Sequence, residues 1–127
     1  MKGKKPNHGR GTALATSPES HGTQIKGRLW IEREGEIFLS WGRVVLLEQI
    51  RETGSIAAAA RAMEMAYSHA WTLVANMNRL AKEELVARTF GGRNGGKAWL
   101  TPPGEAAIAQ FWGLAGRFRE WLKDQDV

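Results

Sequence analysis

Tyr67, Ser68, His69 and Thr72 stand close together in the chain and offer a phenol, two hydroxyls and an imidazole. All four donate and accept hydrogen bonds. At the start of a helix such groups suit the edges of bases: Ser and Thr pair with either kind of edge, Tyr meets a thymine methyl or a phosphate, and His a guanine edge or a phosphate. Further along, Arg88, Arg93, Asn94 and Lys97 surround glycines at 91, 92, 95 and 96. The window from Val86 to Leu100 carries three positive charges and no acid. Its glycines let backbone approach a ligand closely. This is the chemistry of gripping a phosphate backbone, and Arg88, Arg93, Asn94 and Lys97 are assigned to it. Ser55, at the start of a short helix, joins them through the N–H groups that a helix N-terminus presents.

Catalytic constellations are missing. The glycine-rich run lacks the G-x-x-x-x-G-K-[ST] spacing, because Ala98 follows Lys97, and it sits between two strands. His8, His21 and His69 are too scattered for a metal site. Ser17, Ser20, Ser40, Ser55 and Ser68 have no paired base, and Glu83-Glu84 reads as a solvated helix end. There is no cysteine among the 127 residues, which excludes disulfides, thiolate metal sites and cysteine nucleophiles. No catalytic residue, metal or cofactor is expected.

The elements that must position these groups follow from pattern. Lys26 to Glu34 and Ile37-Phe38-Leu39 read as a hairpin around Glu34-Gly35-Glu36. Ser40 caps a helix from Trp41 to about Thr53, closed by Gly54. Ser55 caps a short alanine-rich helix, Ile56 to about Ala62, whose small side chains let another helix come near. After a turn at Glu64-Met65, a third helix runs from about Ala66 to Lys82, with Ala70, Leu73, Val74 and Met77 at i, i+3, i+4 and i+7. Three such helices match the helix-turn-helix signature. Trp71 is placed as a wall between this helix and the following hairpin, with Asn78 and Arg79 toward phosphate or solvent. The strands Leu85–Phe90 and Ala98–Thr101 form that hairpin, the wing. A last helix, 104–123, carries Ile108, Phe111, Ala115, Phe118 and Leu122 at alternating spacings of three and four, a narrow seam flanked by Trp112.

Residues 1–24 hold Lys2, Lys4, Lys5 and Arg10 against Glu19 alone, with few apolar side chains. They read as a disordered basic tail, with ordered structure, the single domain 25–127, beginning near Ile25. The whole chain has 18 basic and 13 acidic residues, a formal charge of +5. A basic balance fits a nucleic-acid partner. No apolar run approaches the roughly 20 residues that cross a bilayer, and no signal core opens the chain. The chain reads as a small, basic, cytoplasmic protein with no membrane partner.

The series Gly54-Ser55-Ile56, Ala57 to Met63, Tyr67, Ala70-Trp71, Met77-Asn78, Leu85-Val86, Gly91-Gly92, Gly95-Gly96 and Leu100-Thr101 resembles the N-terminal DNA-binding domain of the molybdate-responsive ModE-type regulators. More distantly it is similar to LysR-type winged helices. The resemblance covers about residues 26–123. It implies binding to double-stranded DNA and dimerisation, with repression by promoter blocking. The family's oxyanion-binding modules follow the last helix, so the resemblance does not extend to molybdate sensing, and the residues name no small-molecule effector. Ser68, followed by His69, stands where the family often has a basic residue after the tyrosine, which implies a different base preference.

The expected architecture is therefore mainly α with small β hairpins (α+β), a winged helix-turn-helix with a long C-terminal dimerisation helix. Tyr67, Ser68, His69 and Thr72 read bases of a pseudo-palindromic operator. Leu29, Trp30, Ile108, Phe111, Trp112, Ala115, Phe118 and Leu122 are expected to pair two copies into a homodimer. The competing reading is a winged-helix adaptor for a separate ligand-sensing protein.

Overall fold

A computed structural model of the chain describes residues 14–91 and 96–125. The order of elements is β1 (Ala15–Thr16), β2 (Lys26–Gly27), β3 (Ile31–Arg33), β4 (Glu36–Leu39), α1 (Trp41–Thr53), α2 (Ile56–Ala62), α3 (Tyr67–Leu80), β5 (Val86–Arg88), β6 (Ala98–Leu100) and α4 (Pro102–Lys123). The strands form three antiparallel pairs, β1-β2, β3-β4 and β5-β6. This is the α+β winged helix-turn-helix arrangement.

Local chemistry sets most of these boundaries. Glu34 (φ 55°) and Gly35 (φ 77°) are both left-handed, as a two-residue turn matched to strand twist requires. The Ser40 hydroxyl accepts from Arg43 N, and Gly54 (φ 85°) closes α1 by donating its N–H to the Ile50 carbonyl. Ser55 Oγ accepts from Ala58 N at 2.9 Å and starts α2. Glu64 turns left-handed at φ 54° between α2 and α3. Thr101 Oγ1 accepts from Gly104 N at 3.1 Å, with Pro102 tolerated in the first turn of α4.

Order begins earlier than the sequence indicates. Leu14 and Ala15 are buried, and β1 pairs with β2 in the register Ala15↔Gly27 and Thr16↔Lys26. Ser17 is 3% exposed, and its Oγ accepts from Ile25 N at 2.8 Å. His21 (φ 52°) and Gly22 (φ 79°) make the tight turn between Ser20 and Thr23. Segment 14–24 is thus a folded hairpin arm laid against α4. Its composition is polar, but one apolar pair and one buried hydroxyl are enough to seat it. Lys2, Lys4, Lys5 and Arg10 lie outside the described residues.

That arm explains a second difference. Ile108, Phe111, Ala115 and Leu122 are 6, 0, 0 and 1% exposed within a single chain. The α4 seam is therefore covered by the chain's own β1, α1 and β6 and does not face a second copy. The three-four spacing reports only that a stripe is buried, not which element covers it. Phe118 is half-buried over Gly27, where any side chain would collide with its ring. Leu29 packs against the core's edge, and Trp112 stands edge-on to Trp41 at 5.4 Å while donating to Glu48 Oε2 at 2.8 Å.

The core gathers Leu39, Val44, Leu46, Leu47, Ile50, Met77 and Phe111, all fully buried. Ala59, Ala60 and Ala70 let α2 approach its neighbours. At one point helix meets backbone directly: a Cβ on Gly104 would run into the Leu85 carbonyl. Gly116, in the same helix, faces open space. Gly104→Ala is expected to destabilise by about 1–3 kcal/mol through overpacking. Gly116→Ala should instead stabilise by up to about 1 kcal/mol through helix propensity. Thermal unfolding of the two variants checks the pair, and equal midpoints would contradict the close approach.

Candidate nucleic-acid interface

The base-reading candidates lie at the N-terminal end of α3. Helical geometry of about 100° per residue places Ser68 and Thr72 on one outward line, with Tyr67 and His69 to either side. All four are exposed, Tyr67 at 47%. The opposite face holds Ala70, Val74, Met77 and Leu80, all buried. Ala66, at the N-cap, gives no side-chain hydrogen bond to the first turn. Ser55 Oγ serves as the cap of α2, so its primary role is structural.

Asn78 holds the wing to this helix. Its Oδ1 accepts from Leu85 N (2.8 Å) and Val86 N (3.1 Å), while its Nδ2 donates to the Val86 carbonyl at 3.0 Å. This corrects the placement of Asn78 toward phosphate or solvent. An amide in the last turn of α3 satisfies backbone groups of the next strand that would otherwise lack partners. Arg79 is likewise engaged: its Nη2 meets Glu36 Oε1 at 2.7 Å, tying α3 to β4. The hydrogen bond from Arg79 holds the exposed Glu36 carboxyl below the usual glutamate range and, reciprocally, raises Arg79.

The wing sheet runs in the register Val86↔Leu100, Ala87↔Trp99 and Arg88↔Ala98. Ala98 N donates to the Gly54 carbonyl at 2.9 Å, fixing the sheet to the end of α1. Its distal end is closed by Thr89 N donating to the Lys97 carbonyl and Lys97 N donating to Thr89 Oγ1, each at 2.9 Å. Arg88 lies 5.2 Å from the Trp71 ring centroid and 5.0 Å from that of Phe90. Trp71 is thus the wall between α3 and the wing, beside a cleft of about 230 Å³ that reaches to Phe90.

Ion pairs among the described residues include Arg51–Glu105, Arg79–Glu36 and Lys123–Glu120. None of these engages Arg88 or Lys97. Arg93 and Asn94 lie outside the described residues. Among the described residues there is no group of three or more metal-ligating His, Asp or Glu side chains, and no helix is long and apolar enough to cross a membrane.

Residues 41–105, just over half of the chain, match the model of the bacterial regulatory helix-turn-helix proteins of the lysR family. The chain belongs to that family. Its members are DNA-binding regulators rather than enzymes, and this chain carries the DNA-binding domain, with α2 and α3 as its helix-turn-helix. It is 41% identical over 94 residues to the molybdenum-pterin-binding protein MopA of Rhodobacter capsulatus, covering 74% of this chain and 36% of MopA. It is 38% identical over 100 residues to the molybdenum transport protein ModE of Azotobacter vinelandii, covering 79% and 37%. It is 33% identical over 92 residues to the DNA-binding transcriptional dual regulator ModE of Escherichia coli K12, covering 72% and 35%. The chain spans a little over a third of the length of these relatives. Matches on this scale support the resemblance to the ModE-type DNA-binding domain.

Sequence reasoning overlooked Asn78 as a joint and gave no role to Phe90. For Asn78 the available signal was a polar amide beside Met77 in the last turn of the helix, just before the wing strand it could bond. Asn78→Ala is expected to cost about 2 kcal/mol of stability. It should also speed amide exchange at Leu85 and Val86. Unchanged stability with weakened DNA binding would make Asn78 a contact residue instead.

Proposed function

We propose that this chain is the operator-reading part of a bacterial transcriptional regulator and binds a pseudo-palindromic duplex site as a homodimer. The observation that carries the reading is the juxtaposition on one side of the molecule. The exposed hydrogen-bonding start of α3 stands beside a wing whose Arg88 and Lys97 have no carboxylate partner among the described residues. Helix α3 enters the major groove with Tyr67, Ser68, His69 and Thr72 at base edges. Arg88 and Lys97 meet phosphates on the wing side, joined there by Arg93 and Asn94, and Ser55 adds the N-terminus of α2. Such a regulator acts in the cytoplasm, where bacterial DNA is.

The pairing surface takes Leu29, Trp30 and Phe118 from the predicted set, members not fully buried, and adds Trp121 beside them. Trp121 is 58% exposed and stacks on Phe118 at 6.4 Å, and Trp30 is 46% exposed. Leu29 follows β2, whose Gly27 lies against the Phe118 ring in the last turns of α4. Large exposed aromatics suit a self-complementary contact about a two-fold axis. Two recognition helices would then meet half-sites about one helical turn, or a multiple of it, apart.

Two measurements check this. Binding to a duplex should weaken steeply with salt, and Lys97→Ala should reduce the slope of log K against log salt by about one unit. Absence of duplex affinity and of any slope would favour the protein-adaptor reading. In light scattering, Trp121→Glu should shift the chain from dimer to monomer with its helical content unchanged. A wild-type monomer, or a variant dimer of unchanged mass, would remove this surface from the assembly.

A further inference from the structure

We propose that Phe90 is an apolar wedge that enters the minor groove beside each half-site and opens a base step there. The inference rests on the duplex-binding reading above and adds a residue that reads deformability rather than base edges. Phe90 is 86% exposed, well beyond the 58% of Trp121. Among the described residues its ring contact is with the Arg88 guanidinium, at 5.0 Å. The chain neighbours of Phe90 are Thr89 and Gly91, and it stands at the mouth of the cleft that Trp71, Val74, Val86 and Arg88 line. An exposed apolar ring against Arg88, in a wing window 86–100 that holds three cations and no acid, matches a polyanion with a hydrophobic interior, which is what a base stack is.

The ring is also held in a useful place. The root of the wing loop is closed by the Thr89–Lys97 pair and by Gly96 at φ 82°, whose missing Cβ would strike the Thr89 carbonyl. From the recognition helix outward runs one continuous stack, Trp71, then Arg88, then Phe90. With α3 in the major groove, that stack leads over the backbone toward the neighbouring minor groove. There Arg88 meets the phosphates and Phe90 leans on the stack. Flexible pyrimidine–purine steps open most readily, so the wedge creates sequence preference where no hydrogen bond is made.

The test uses the full chain and the duplex it selects from a randomised pool, with 2-aminopurine placed in turn at positions flanking the half-sites. The wild-type chain should brighten the fluorophore several-fold at one step outside each half-site. Phe90→Leu, which keeps an apolar wedge, should preserve the effect. Phe90→Ala should abolish it and weaken binding about tenfold, leaving the salt slope and the melting temperature unchanged, because the ring is uncharged and exposed. Salt-dependent duplex binding with no brightened position, or brightening that survives Phe90→Ala, would overturn the wedge alone. Failure of the wild-type chain to bind any duplex would overturn the DNA-binding reading and the wedge with it.

Discussion

Three hydrogen bonds from one carboxamide join the two halves of the candidate interface. Asn78 sits in α3 and satisfies the Leu85 N–H and both backbone groups of Val86. Helix α3 is anchored in the core by Ala70, Val74 and Met77, while the wing is a short two-stranded sheet with little core of its own. Without that joint, the wing would hang on its edge contact with Gly54 and on Thr101. With it, Arg88 is held against Trp71, and the cation of the wing keeps a fixed distance from the base-reading end of α3. A protein that must meet two features of a duplex at once needs that distance preset, since ordering it on binding would cost affinity.

The rest of the fold supports that joint from behind. The buried stripe of α4 covers α1 and β6, and its first turn comes so close to Leu85 that only glycine fits at 104. Leu85 is therefore gripped from both sides, by Asn78 through its N–H and by Gly104 and Thr101 against its carbonyl. The β1-β2 arm then closes the outer side of α4, with Ser17 supplying the hydrogen bond that a buried turn requires. Interior packing leaves Trp30 and Trp121 as exposed aromatics.

Much of this was legible because the signals are local. Ser40, Gly54, Ser55 and Thr101 mark helix ends through hydrogen bonds to residues three or four positions away, and the sequence shows them directly. The helix-turn-helix was equally plain, since caps, alanines and apolar spacing agree. What escaped depended on distant partners. The α4 seam has the spacing of a dimer interface, yet its cover is α1, β6 and an arm nearly a hundred residues earlier whose polar composition disguises its role. Asn78 and Arg79 have surface-like side chains, but their partners lie on β5 and β4. Polarity predicts that a group needs a partner and is silent on whether protein or ligand supplies it.

The central claim is that α3 and the wing together read a defined duplex sequence. Selection from a randomised duplex library at physiological salt, followed by sequencing, tests it most directly. The account predicts enrichment of a dyad-symmetric motif whose half-sites are separated by about one helical turn or a multiple of it. A pool that stays random, with only weak binding at low salt, would contradict it and leave a basic chain with general affinity for polyanions.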